Sequence, residues 1–363
     1  MKLEKISEKV LAGERVGVSE ALALVNAADL LHLGLLAEAV RKRRHPEDVV
    51  TYIVDRNINY TDICIAACKF CAFFKTPEDP AGSVLSLAQL GRKIEETKAL
   101  GGNQILLQGG LHPAKPLEFY EEMLRFIKGY GVHVHGFSPP EIHHFASMAK
   151  LSSQAVLSRL KDAGLNSIPG GGAEILADRV RREIAPRKCS ADEWIAIMEE
   201  AHGLGMRTTA TMMFGHIETM AERLEHLDRL RTLQDRTGGF TAFIPWPFQP
   251  SNTSLAGLPT TSAFSYLKML ALSRIFLDNI VNIQASWVTQ GAKIAQLSLF
   301  FGANDFGSTM IEENVVAAAG VSFRLSETEI RNLVEGAGFQ ASRRRMDYTL
   351  DRATRTAGDE IAL

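Results

Sequence analysis

Along the first ~45 residues, apolar side chains recur at three- and four-residue spacing. One run opens at Val18-Ser19-Glu20 and closes before the basic stretch Arg41 to His45, a pattern of amphipathic helices. Near Thr51 the period changes. From there short apolar runs alternate with longer amphipathic stretches, as repeated strand–helix units do. Strands are predicted at 51–55 with 59–63, then 104–108, 132–137, 167–169, 207–214, 240–246, 281–286 and, more weakly, 306–310. Helices are predicted at 87–100, 116–130, 153–163, 191–204, 218–237 and 262–278. These crossovers are long enough for parallel pairing, so the expected fold is α/β, a closed (β/α)8 barrel of the TIM type. The expected division is an N-terminal helical lead-in at 1–45, the barrel at 46–323 and a small C-terminal appendage at 324–363.

The 363 residues are 46% hydrophobic and 23% charged, a balance that supports a large buried core in a soluble protein. A net charge of -2 gives no field for nucleic acid, and the short basic runs Arg41 to Arg44 and Arg343 to Arg345 read as solvated faces. The chain holds no apolar stretch of ~18 residues, and MKLEKISEKVLAGE shows no apolar leader core. A cytoplasmic protein without nucleic-acid or membrane partners is expected.

Three of the four cysteines fall in one CxxxCxxC segment, Cys64, Cys68 and Cys71, directly after a predicted strand. Three thiolates on one loop can hold three corners of a 4Fe-4S cube and leave the fourth iron open to an exogenous chelator. A structural zinc site would want a fourth protein donor, and the segment has no second CxxC or histidine pair. Cys189, far along the chain, reads as a small buried side chain.

The CxxxCxxC motif with the aromatic Phe70 before its last cysteine resembles the signature of the radical S-adenosylmethionine (SAM) superfamily. That resemblance implies a 4Fe-4S cluster whose open iron chelates the amino and carboxylate groups of SAM. Gln108-Gly109-Gly110 stands where the family carries a GGE motif that binds the SAM amino group, with Leu111 in place of the glutamate. By the same resemblance Glu174, in SIPGGGAE, would take the SAM ribose hydroxyls, and Lys188, fourteen residues on before the next helix, suits the SAM carboxylate as a point charge. The run from Gly215 to Glu218 is close to the family's GxxE, and the Trp246 and Phe248 region would flank adenine.

Longer strings carry the likeness further. VDRNINYTDIC, SIPGGGAEIL, TTATMMFGH, GGFTAFIPWPFQP, NIQASWVTQG and GANDFGSTMIEENVV are similar to those of the cyclic dehypoxanthine futalosine synthases, from about Thr51 to Val316. The implied activity is the radical cyclisation of dehypoxanthine futalosine in menaquinone biosynthesis, fed by an electron donor such as flavodoxin or ferredoxin. Polar residues crowd the predicted strand ends, among them Asp55, Asn57, Gln284, Ser286 and Trp287, so a polar small molecule is expected in the barrel mouth. Arg56 suits a benzoate carboxylate, and His112, Glu141, His216 and Asp305 are the candidate bases. Aminofutalosine synthases share the cluster loop, and a non-catalytic metal-binding barrel is a third reading. SAM cleavage separates that last reading from the enzymes.

Overall fold

A computed structural model describes residues 3–351. Three helices, α1 (Leu3–Ala12), α2 (Val18–Ala27) and α3 (Leu30–Arg44), precede the first strands, β1 (Val49–Ile53) and β2 (Asp55–Asn59). There follow α4 (Leu87–Ala99), β3 (Gln104–Gln108), α5 (Leu117–Lys128), β4 (His133–Gly136), α6 (Pro139–Ala149), α7 (Ser153–Ala163) and β5 (Ser167–Ile168). The chain continues through α8 (Asp178–Ile184), α9 (Ala191–Gly203), β6 (Arg207–Phe214), α10 (Met220–Thr237), β7 (Phe240–Pro247), α11 (Ala263–Phe276) and β8 (Asn282–Ile283). The last elements are α12 (Trp287–Ser298), β9 (Asp305–Ser308), α13 (Val315–Ala318), α14 (Glu327–Gly336) and β10 (Gln340–Arg343).

Strands β2 to β8 form one seven-stranded parallel sheet in sequence order, and β10, β1 and β9 form a second, three-stranded one. Backbone hydrogen bonds join the two into a ring. The Asn304 N–H donates to Ile283 O at 3.1 Å and the Ala285 N–H to Asp305 O at 2.9 Å, so β8 meets β9. Strand β9 pairs with β1, and β1 runs straight into β2. Counting β1 and β2 as one bent strand, eight parallel positions close a (β/α)8 barrel.

Local chemistry explains the helix starts. Ser86, Ser138, Ser190, Thr219 and Ser326 each head a capping box with Gln or Glu three residues on, satisfying N–H groups that a helix cannot pair internally. Helix α6 falls where sequence patterning marks only a Ser138 cap, and α8 and α12 arise inside stretches with no predicted helix. Segment 59–63 is not a barrel strand. After Asn59 the chain pairs with its own loop, Thr61 with Val84 and Ile63 with Lys75, because the ladder position beside β3 is already filled by β2.

The seam between β8 and β9 is buried and polar. Arg274, fully buried, donates to Gly302 O at 2.7 Å, Val281 O at 2.7 Å and Asn304 Oδ1 at 2.6 Å, and Asn304 in turn donates to Asn282 Oδ1 at 2.9 Å. Beyond β10 the chain stays with the barrel: the Arg344 N–H donates to Tyr52 O at 2.8 Å, and its guanidinium lies 4.0 Å from the Tyr348 ring centroid. Residues 352–363 of the expected appendage lie outside the described residues.

Candidate active site at the carboxyl end of the barrel

The cysteine loop leaves β2 and is tied down on all sides. The Cys64 N–H donates to Lys75 O at 2.9 Å, the Lys75 N–H to Asp62 O at 2.8 Å and the Lys69 N–H to Ile184 O at 2.8 Å. Under it lies the bend after β3. A Cβ on Gly110 would stand 2.2 Å from Ile63 O, and one on Gly109 would stand 2.5 Å from the Tyr60 ring, so neither place accepts a side chain. The N–H groups there are spent, that of Gly109 on Glu141 at 3.1 Å and that of Gly110 on Thr61 O at 3.0 Å.

Backbone donors aim at the sulfurs. Cys64 Sγ accepts from the Leu111 N–H at 3.2 Å and the Ala66 N–H at 3.4 Å, and Cys71 accepts from Phe73 and Phe74. Cys68 is buried, and burial pushes its thiol up to about 12 against the pull of the Lys188 ammonium.

Lys188 and Glu174 meet beside this loop. The ammonium lies 3.0 Å from Glu174 Oε1 and 5.0 Å from the Phe70 ring centroid. Burial opposes charge on Lys188, but the Cys68 and Glu174 charges outweigh it and hold its pKa above the usual lysine range. Glu174 sits at φ 41, with Arg181 Nη1 3.7 Å from its Oε2 and no hydrogen bond on that oxygen.

A cavity of ≈ 280 Å³ fills the barrel interior. Gln108, Pro169 and Trp246 line it toward the cysteine loop, and Asp55, Gln104 and Arg344 line its deep end. Alternation along the strands decides who faces it: Asp55 and Asn57 of β2 point in and Arg56 points out.

Residues 58–230 match the radical SAM superfamily, and residues 237–356 match the CofH/MqnC C-terminal region. The chain is 46% identical to the cyclic dehypoxanthine futalosine synthase of Streptomyces coelicolor, over 95% of this chain and 88% of that one. It is 41% identical to the enzyme of that name from Halalkalibacterium halodurans, over 97% and 96%, and 40% identical to the aminodeoxyfutalosine synthase of Thermus thermophilus, over 93% and 92%. The chain belongs to the radical SAM superfamily. Its fold is also that of the FeFe-hydrogenase maturase HydG from Carboxydothermus hydrogenoformans, with a TM-score of 0.75 at 19% identity over 95% of this chain and 80% of that one.

The loop of this radical SAM protein fits the cluster its family implies. Among the described residues no three His, Cys, Asp or Glu side chains converge on a point that would hold a single ion. A cube takes one thiolate per iron, each on a separate corner, so three cysteines on a short loop, with N–H donors on the sulfurs of Cys64 and Cys71, suit it better than they suit zinc. The Lys188 ammonium would offset part of the negative charge that such thiolates carry.

The substrate and base candidates are placed unequally. Gln284, Ser286 and Trp287 line the cavity, with Trp287 Nε1 donating to Ser308 O at 2.9 Å. Arg56 does not: its guanidinium donates to Glu96 at 2.7 Å and Lys93 O at 3.0 Å on the outer face of β2. None of the four candidate bases lines the cavity. Glu141 accepts from Tyr60, Gly109 and both donors of Ser138, so it works as a clamp between β3 and α6. Asp305 is gripped by Arg344, Thr51 and the Gly307 N–H. His216 is buried against Glu218, and hydrogen bonds and charge from His216 and Arg223 hold Glu218 down at about 2 although burial alone would raise it. The His112 ring accepts from the Ala114 N–H at 3.1 Å.

Sequence reasoning missed Gln104, His135, Thr209, Thr211, Arg344 and Met346, all on the cavity wall. The first four carried a usable signal, because strand residues two apart share a face and the polar set on β3, β4 and β6 follows that period. Arg344 and Met346 come from the tail, and only the pairing of β10 with β1 brings them there.

Proposed function

We propose that this protein converts dehypoxanthine futalosine to its cyclic form in menaquinone biosynthesis, in the cytoplasm, with a flavodoxin or ferredoxin as electron donor. The observation that supports the reading is a cavity inside the barrel together with a three-cysteine loop that leaves the end of β2, in a chain similar over nearly its whole length to two enzymes named for that reaction. The cluster and SAM, when bound, supply a 5'-deoxyadenosyl radical. The substrate would give the hydrogen on its ribose C4' to that radical, the carbon radical left there would add to the benzoate ring, and the ring would regain aromaticity by losing one proton and giving back the one electron that the donor supplied.

Lys188 and Glu174 would hold SAM beside Cys68, exchanging their mutual contact for its carboxylate and ribose. With the Gly109 and Gly110 N–H groups already engaged, a ligand ammonium at that bend would meet carbonyl oxygens. The barrel wall excludes competing C–H bonds and water, and holding C4' within ~3.5 Å of the radical carbon is its main catalytic task. No helix among the described residues is long and apolar enough to cross a membrane.

The test is isotopic. With deuterium at C4', the label should appear in 5'-deoxyadenosine while the cyclised product forms. An adenosyl adduct, the outcome that favours the aminofutalosine synthase reading, or unlabelled 5'-deoxyadenosine alongside cyclised product would overturn the proposal.

A further inference from the structure

Three buried polar side chains stand together on the β2–β3 wall of the cavity, and two of them present acceptors that nothing in the protein satisfies. Asp55, Asn57 and Gln104 are 4%, 4% and 2% exposed. Gln104 Nε2 donates to Asp55 Oδ2 at 2.8 Å, and the other Asp55 oxygen accepts from Ser308. Asn57 Nδ2 donates to Glu313 Oε2 at 2.9 Å, and Glu313 is itself fixed by the N–H groups of Val315 and Val316. Each amide must turn its NH2 group to a carboxylate, so its oxygen is forced to face away. Those oxygens, Asn57 Oδ1 and Gln104 Oε1, have no hydrogen-bond partner. A buried acceptor without a donor is destabilising, so two of them side by side on a cavity wall suit a ligand that brings donors.

The residues are close together. Asp55 pairs with Gln104 in the ladder, and Asn57 lies two residues on along the same face. The cavity also carries the Trp246, Trp287, Ile244 and Val288 side chains, surfaces for a flat ring. The cavity is therefore divided between hydroxyl-accepting and apolar surfaces.

We infer that Asp55, Asn57 and Gln104 form a diol-recognising subsite that takes the vicinal hydroxyls of the substrate ribose and leaves the aromatic ring to the tryptophan-bearing surface. The inference rests on the cyclase reading and names the side chains that orient its substrate. Hydroxyls donate to the Asn57 and Gln104 oxygens and to the remaining lone pairs of Asp55, which turns the ribose so that one face of C4' looks toward the cysteine loop.

The test is a cycle between side chain and ligand, run on the cluster-loaded enzyme. Asn57→Leu and Gln104→Met remove one acceptor each, Asp55→Asn keeps shape while removing charge, and cluster absorbance reports that each variant has folded. Each is assayed with dehypoxanthine futalosine and with its 2'-deoxy and 3'-deoxy analogues. One lost hydrogen bond should raise KM about tenfold, whether the side chain or the hydroxyl is removed. Removing both members of a contacting pair should cost no more than about twofold beyond either alone, because the second has no partner left to lose. If every variant weakens native and deoxy substrates by the same factor, the diol subsite is wrong while the cyclase reading stands. If the wild-type enzyme forms no cyclised product, the cyclase reading falls and this inference with it.

Discussion

Lys188 Nζ lies 3.0 Å from Glu174 Oε1, with the side chains 15% and 6% exposed, so two residues expected to touch different parts of SAM first touch each other. Removing one partner strands the other. Lys188→Met should leave Glu174 buried with only a long contact to Arg181, lowering stability by about 3 kcal/mol in urea unfolding and weakening SAM binding at least tenfold by titration. Cluster absorbance should persist in the variant. An unchanged SAM titration would remove both residues from the cofactor site.

Gly110→Ala should damage the cluster loop without touching a cysteine. The added methyl would stand 2.2 Å from Ile63 O and 2.8 Å from Cys64 Cβ, so the loop must shift where the first thiolate sits. Iron content after reconstitution should fall several-fold. Cys64→Ala, Cys68→Ala and Cys71→Ala should each abolish the iron-sulfur absorbance. Cys189→Ala should spare it, since Cys189 is buried beneath Arg181, which donates to its carbonyl at 2.6 Å.

Asp305 and Arg344 bolt the tail to the barrel through two contacts, at 2.5 and 3.0 Å, both residues being buried. Asp305→Asn leaves a buried guanidinium short of its counter-charge, and urea unfolding should show a loss of about 3 to 5 kcal/mol. Adding Arg344→Met to that variant should recover part of the loss. Equal and additive losses would mean that the pair is not coupled.

His226 gives a pH dependence with a defined sign. It is fully buried, its Nδ1 accepts from the Leu176 N–H at 2.9 Å, and burial first, then the nearby Arg181, lowers its pKa to about 3. Above ~6.5 the ring is neutral in both folded and unfolded chains and costs nothing. As pH falls below that value only the unfolded chain takes the proton, so stability declines down to the folded value. Between pH 7 and pH 5 this one group should remove about 2 kcal/mol, read as a lower urea midpoint that His226→Gln flattens.

Much of the molecule is determined locally. The strands at Gln104–Gln108 and Arg207–Phe214 and the helix at Ser153–Ala163 follow from hydrophobic period and capping residues, which neighbours in the chain decide among themselves. The three-cysteine loop was legible for the same reason, since the spacing of Cys64, Cys68 and Cys71 is set within eight residues whatever surrounds them.

The cavity is a different matter. Glu141, Asp305 and His216 have the right chemistry at predicted strand ends, yet folding spends their hydrogen-bonding capacity on Tyr60, Arg344 and Glu218, partners remote or close that no spacing announces. Arg56 and Asn57 are adjacent in sequence and face opposite sides of one strand, a distinction set by where the ring closes. Arg344 reaches the barrel interior only because β10 pairs with β1 across nearly the whole chain. Sequence therefore determined most of the strands and helices and the cysteine loop, because those depend on neighbours, though not α6, α8 or α12. The tertiary structure alone decided which polar groups remain unpaired in the cavity, because that depends on partners brought together by closing the barrel.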